Sequence, residues 1–142
     1  LYTNEYKAML IAATQVSDLL EQRLPELKHI GLPTWLLLRT LASDGAMTIS
    51  QLAAQRGVSR QSVHKQAATL IKQGWIVSDL HPTDKRCKLL KLTNEGLDRV
   101  ARLESAIDKQ AIALARMVKD EDIEMALEPM LLIASVLRQS CK

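Results

Sequence analysis

The stretch TISQLAAQRGVSRQSVHKQAATLIKQGWIVSDLHPTDKRCKLLKLT, residues 48–93, decides how the rest of the chain is read. Thr48-Ile49-Ser50-Gln51 has the form of a capping box. The Thr48 hydroxyl can accept from the third helical amide while Gln51 reaches back to the Thr48 amide. Leu52 and Ala53 then face inward on a short helix. Gly57 ends it, because the sharp reversal that follows wants a left-handed residue. Val58 is expected to pack into the elbow, and Ser59 is the natural N-cap of the next helix.

That second helix, Arg60 to about Gln73, is amphipathic. Val63, Ala67 and Leu70 fall within about one quarter of the helical wheel. Gln61, Lys65, Ala68 and Lys72 point the opposite way, with Ser62, His64 and Thr69 at the margins. Gly74 stops it. Trp75-Ile76-Val77 and Lys88–Leu92 have strand composition. The run between them, His81-Pro82-Thr83-Asp84-Lys85-Arg86, is too long and polar for a two-residue hairpin, so an extended, mobile wing is expected. The order is helix, turn, helix, then two strands with a wing.

Charge is concentrated in the same stretch. It holds Arg56, Arg60, Lys65, Lys72, Lys85, Arg86, Lys88 and Lys91 against Asp79 and Asp84, a balance of 8 − 2 = +6. The remainder has 19 − 8 = 11 basic and 16 − 2 = 14 acidic residues, or −3, so the net +3 conceals a basic module on a slightly acidic scaffold. Lys and Arg displace counterions from phosphates, and Gln61 or Arg60 can form paired hydrogen bonds to base edges. The amphipathic helix carries no acid on its exposed face. A solvated charged surface is the plainer reading of any such run, but here the charge is confined to a module shaped for a DNA groove.

Working outward, Tyr6, Met9, Leu10, Ala13, Val16, Leu19, Leu20, Leu24 and Leu27 recur at three- and four-residue steps and predict a long helix over about residues 4–26. Pro25 marks a kink or its last turn. Gly31 punctuates, Pro33 suits a first helical position, and a helix over 34–42 carries Trp35, Leu36, Leu38 and Leu41 before Asp44-Gly45 turns the chain. Beyond the wing, Thr93 caps a helix running to about Met117, with Leu97, Val100, Leu103, Ile107, Ala111 and Leu114 on one stripe. A last helix over 120–139 opens on Asp120, Glu121, Asp122 and Glu124, which suit its positive end. Ile123, Leu127, Met130, Ala134 and Leu137 step like a helix–helix seam, and Pro129 is expected to kink it.

The 142 residues make one domain's worth of chain, 47% hydrophobic and 25% charged, an ordinary balance for a globular protein. Cys87 and Cys141 make no disulfide framework, so a reducing cytoplasm is the expected setting, and no apolar run reaches the length of a membrane span. The chain opens on Leu1 rather than Met, so a missing targeting signal carries little weight. His29, His64 and His81 lie in different segments, and no phosphate loop or nucleophile motif appears, so no enzyme, metal site or cofactor is expected.

The motifs together resemble the MarR family of bacterial winged-helix transcriptional regulators. The likeness rests on Thr48-x-x-Gln51-Leu52-Ala53, on Gly57-Val58-Ser59, on Val63, Leu70 and Gly74, on Asp84-Lys85-Arg86, and on Leu92-Thr93-x-x-Gly96. Asp-x-Arg followed by Leu-Thr-x-x-Gly is the most specific part. The flanking helices match in number and place, so the likeness spans nearly the whole chain. It implies a mostly α, α+β winged-helix chain: a DNA-binding lobe over 33–92, inserted between helices over 1–30 and 93–142 that form a dimerisation lobe. It implies further that Asp84 orients Arg86 into the minor groove while Arg60, Gln61, Ser62, His64 and Lys65 enter the major groove.

The resulting expectation is a homodimeric, sequence-specific regulator on a pseudo-palindromic operator in double-stranded DNA. By family habit it is a repressor relieved by a small organic ligand. Ser59, Arg60, Gln61, Ser62, His64, Lys65, Asp84, Lys85, Arg86 and Lys88 form the expected DNA surface, although His64 serves equally well as a filler of the helix margin. His29 and Trp35 flank the junction where relatives bind ligands, though a Trp beside a Pro at a helix start is also ordinary core. Cys87, among cations that lower a thiol pKa, offers a thiol-responsive alternative, against the inertness usual for a strand cysteine. The peroxide-sensing branch carries its cysteine near the start of the first helix, and residues 1–14 contain none. A winged-helix module that binds protein rather than DNA is the other alternative.

Overall fold

Seven helices and a three-stranded sheet form among residues 3–140, which the computed structural model describes. Helix α1 spans Thr3–Arg23. The expected first helix does not run on to residue 26. Pro25 disfavours helical dihedrals at the residue before it. Leu24 accordingly leaves the helix at φ −117°, ψ 82°, and Pro25 opens a new short helix, α2 (Pro25–Ile30). Gly31, at φ 90°, joins α2 to α3 (Leu32–Asp44), so Pro33 sits one residue inside the helix start.

A two-residue strand, β1 (Met47–Thr48), was not expected; it leads into α4 (Ile49–Arg56). The capping box forms as read. Gln51 N donates to Thr48 Oγ1 at 3.1 Å and Thr48 N donates to Gln51 Oε1 at 2.9 Å. Such a cap stabilises a short helix by about 1 kcal/mol. Gly57 adopts the left-handed conformation, and Ser59 accepts from Ser62 N at 3.1 Å to start α5 (Arg60–Lys72). Val58, expected in the elbow, is exposed.

Strands β2 (Ile76–Leu80) and β3 (Lys88–Leu92) pair antiparallel from Ile76↔Leu92 to Leu80↔Lys88. β1 pairs with the other edge of β3, Met47 opposite Leu90, so the sheet order is β1-β3-β2. Thr93 caps α6 (Asn94–Leu114) by accepting from Gly96 N, while its hydroxyl donates to the Gly74 carbonyl at 2.6 Å. That hydroxyl ties the end of the helix-turn-helix to the start of α6. Helix α7 (Asp120–Ser140) runs through Pro129.

The main core lies under the basic stretch. Leu37, Leu38 and Leu41 of α3 meet Leu52 of α4, the α5 face of Val63, Ala67 and Leu70, Ile76 and Leu90 of the sheet, and Val100 of α6. Each fully buried Leu or Ile contributes roughly 1.5–3 kcal/mol, which fixes α5 against the sheet. A second cluster of Leu24, Leu27 and Ile107, flanked by Trp35, joins α2 and α3 to α6. The outer helices bury little in the single chain. Tyr6, Leu10, Ile11 and Leu19 of α1 are exposed, as are Leu97, Ala111 and the expected seam residues Ile123, Leu127, Met130 and Ala134.

Candidate nucleic-acid interface

The start of α5 presents its side chains outward because Val63, Ala67 and Leu70 are committed to the core. Arg60, Gln61, His64 and Lys65 are exposed and Ser62 is half-buried. No acid lies in the first turn. The unpaired amides and positive dipole of a helix start favour an anion there.

Across from this helix stands the wing. Arg60 and His64 of α5 share a cleft of about 610 Å³ with Arg86, Cys87 and Lys88, over a floor that includes Ala67 and Leu90. The structure thus brings together four of the expected contact residues, Arg60, His64, Arg86 and Lys88, on facing walls. Gln61 and Lys65 lie on α5 outside the cleft lining, and Lys85 is exposed in the wing. Not all the basic residues of the stretch are free for a ligand. Arg56 is turned onto α5, donating to Gln66 Oε1 at 2.9 Å, and burial pushes its guanidinium pKa down. Lys91 is paired with Asp79 at 3.2 Å.

The wing is ordered by its own hydrogen bonds. Asp84 Oδ1 accepts from Arg86 N at 3.1 Å and from Arg86 Nε at 3.3 Å. The Arg86 amide first, and then its guanidinium, hold the Asp84 carboxyl below the usual carboxylate range. The Arg86 side chain is 92% exposed, so solvent screens the pair and it adds little to stability. What it fixes is the direction of the guanidinium.

His81 is the residue that the sequence reading missed here. Its Nδ1 accepts from Thr83 N at 3.2 Å and Asp84 N at 3.1 Å, and its own amide donates to the Cys87 carbonyl. The clue was its position: it stands where Asn, Asp or Ser would accept from amides further along and form a side-chain turn. Cys87 is half-buried, and its thiol donates to Asp84 Oδ2 at 3.7 Å. Cys141 lies outside the described residues.

The two expected ligand residues are not brought together. His29 is exposed at the end of α2. Trp35 packs between α3 and α6, with Nε1 donating to Glu104 Oε1 at 3.1 Å. Arg39 Nε reaches the same oxygen at 3.1 Å, and its guanidinium lies 5.5 Å from the Trp35 ring centroid. Arg39, four residues on from Trp35 and so on the same helix face, was legible from spacing; Glu104, on another helix, was not. Among the described residues no group of His, Cys, Asp or Glu is placed to hold a metal ion, and no helix is long and apolar enough to cross a membrane.

A model of the MarR family matches residues 30–86, from the end of α2 to Arg86 of the wing. Over that stretch the chain is similar to the MarR family. Its fold, mostly helical with a small antiparallel sheet, is the winged helix expected of a MarR protein. A protein assigned to transcriptional regulation of the hcr operon in Thauera aromatica is 35% identical over 74 residues. That match covers 52% of this chain and 45% of the relative, so less than half of the relative's length is spanned. Among solved structures, NadR in complex with 4-hydroxyphenylacetate is 27% identical with a TM-score of 0.67, over 93% of this chain and 91% of NadR. Reduced AbfR bound to DNA shares the MarR fold at a TM-score of 0.71 and 20% identity, over 94% of each chain.

Proposed function

We propose that this MarR-family protein is a cytoplasmic regulator of transcription that binds double-stranded DNA as a homodimer. The observation that carries the reading is the shared cleft: the acid-free start of α5 and the oriented Arg86 face each other across it. An α5 start in the major groove and a wing in the adjacent minor groove would straddle one phosphate backbone. Arg suits the narrow minor groove, and α5 offers Gln61 and Arg60 to base edges. Ser59, Ser62, His64, Lys65, Lys85 and Lys88 complete the surface.

Residues 33–92 then act as the DNA-binding lobe, and residues 1–30 and 93–142 as the dimerisation lobe. The apolar faces of α1 and α7, exposed in the single chain, support that division. Two-fold symmetry makes the operator a pseudo-palindrome with half-sites about one helical turn apart. The test is a mobility shift on genomic fragments at low salt. Binding to a discrete fragment, weakened steeply by salt, is expected; no binding to any fragment would overturn the reading.

The same protein is proposed to be a repressor released by a small organic acid. Supporting this is the Trp35–Arg39–Glu104 cluster between the two lobes, in which a protein carboxylate occupies an Arg and an indole donor. A ligand carboxylate competing for those donors would separate α3 from α6. NadR, solved with 4-hydroxyphenylacetate, is a relative of compatible chemistry.

A further inference from the structure

The wing closes on one ring nitrogen. The Thr83 and Asp84 amides both donate to His81 Nδ1, and the Thr83 hydroxyl lies 3.3 Å from the same atom. A nitrogen that receives amide protons presents a lone pair, so in this arrangement the ring is neutral with its proton on Nε2. Asp84, whose amide is held in this way, is also the residue whose carboxylate accepts from Arg86 N and Nε. The Cys87 amide donates to the Asp84 carbonyl at 3.1 Å, so Asp84 is fixed at its amide, carbonyl and carboxylate. Only the first of these anchors ends on a ring nitrogen, whose lone pair a proton can occupy.

We propose that His81 is a positioning residue for Arg86, and that protonating its ring removes the acceptor at Nδ1, releases Arg86 and weakens DNA binding. The proposal rests on the reading that the wing touches DNA. A proton on Nδ1 sets a donor against two donors, and both amides lose their partner. The imidazolium then has the Asp84 carboxylate at hand, the group that Arg86 uses. The charged groups nearby in the fold are few. Within the loop they are Asp84, Lys85 and Arg86. On the strands they are Lys88 and Asp79, the latter already paired with Lys91. On α5 they are Arg60 and His64, which line the cleft with Arg86; His81 does not line it. Asp84 is therefore the carboxylate for which imidazolium and guanidinium compete.

Two variants separate the roles. In His81→Asn the side-chain oxygen stands where Nδ1 stands, one bond from Cγ, and accepts from downstream amides without titrating. His81→Ala removes the acceptor at every pH. Nitrogen NMR of the 142-residue chain is the first measurement. At about pH 8 the ring should carry its proton on Nε2, and the Thr83 and Asp84 amides and Arg86 Nε–H should shift together as the ring titrates. A proton on Nδ1 at pH 8, or an Arg86 signal indifferent to the ring, would overturn the positioning role.

The second measurement is affinity for the fragment recovered by the mobility shift, always as the ratio of wild type to His81→Asn. The ratio cancels any effect of pH that the two proteins share. Equal affinities are expected at about pH 8, and wild type about fivefold weaker at about pH 5.5, with His81→Ala weak at both. A ratio that does not change with pH refutes the switch. Failure of every fragment to bind refutes the DNA reading and the switch with it, while the NMR result still decides whether His81 positions Arg86.

Discussion

Gly96 leaves no space for a β-carbon, because one built on it would overlap the carbonyl of Trp75. The first turn of α6 is packed directly on the backbone that leaves α5. The same carbonyl accepts from Thr93 N, and the Thr93 hydroxyl donates one residue earlier, to Gly74. Gly→Ala inside a helix ordinarily stabilises by about 1 kcal/mol. Gly96→Ala should do the reverse and cost about 3 kcal/mol, because the obstructing atoms are backbone and cannot rotate away. Urea denaturation decides it: a midpoint at or above that of wild type would mean that α6 and Trp75 part easily.

Arg86 separates stability from binding. Its side chain is almost wholly exposed, so Arg86→Ala should leave unfolding free energy within about 0.5 kcal/mol of wild type. DNA affinity should fall, and the dependence of log K on log salt should flatten by about 1. Asp84→Asn keeps the Arg86 charge but loosens its direction, so affinity should drop with little change in slope. Equal slopes and equal affinities across all three proteins would place the wing off the DNA.

The Asp84 carboxyl is held below its ordinary value of 3.8 by the Arg86 amide and then by the Arg86 side chain. A depressed folded-state pKa contributes stability that is fully present above 3.8 and is lost as pH falls through the lower, folded value. In His81→Asn, where no imidazolium competes, the Asp84 carboxyl carbon should titrate below 3.8, and Arg86→Ala in that background should raise the midpoint. A midpoint at or above 3.8 with Arg86 present would mean that the pair does not persist in solution.

How much of this was legible depended on where the determining contacts lay in the sequence. Thr48 with Gln51, Gly57, Ser59 with Ser62, and Thr93 with Gly96 act within a few residues, so the caps and turns of the winged helix could be read by spacing. Pro25 was visible but its effect was not: whether a proline kinks a helix or starts a new one depends on what Leu24 and Leu27 pack against, here Ile107 of α6. The strand β1 is two residues long and exists through its partner Leu90, so no local pattern announces it. In the wing, Asp84 and Arg86 stood out by charge, whereas His81 acts through a lone pair on amides that any residue has. Glu104 reaches Trp35 and Arg39 from 69 and 65 positions away, beyond any periodicity.

That Glu104 contact makes a prediction about effectors. In Glu104→Gln the amide oxygen can still accept from Trp35 Nε1, but the charge opposite Arg39 is gone. Arg39 should then take an external carboxylate more readily. Titration with 4-hydroxyphenylacetate, followed by tryptophan fluorescence with Trp75→Phe as background, should show tighter apparent binding in Glu104→Gln than in wild type. Binding unaffected by Glu104→Gln and by Arg39→Ala would place any ligand site elsewhere.

The outer helices carry the last prediction. Leu127, Leu131 and Leu132 of α7 are each more than half exposed in the single chain, and Leu10, Ile11 and Leu19 of α1 are similarly bare. Covering a leucine is worth roughly 1.5–3 kcal/mol, so a face of this extent favours association strongly. In the proposed dimer a two-fold axis would double any change, because each substitution would enter the interface twice. Leu131→Asp should therefore leave helical content intact, since it disturbs no buried contact within the chain, yet shift sedimentation equilibrium at micromolar concentration from dimer to monomer. The same variant should lose operator affinity while its α5 and wing are unaltered, because one lobe holds only one half-site. A wild-type chain that sediments as a stable monomer at that concentration would show that α1 and α7 are not a dimer interface, and the pseudo-palindromic operator would lose its basis.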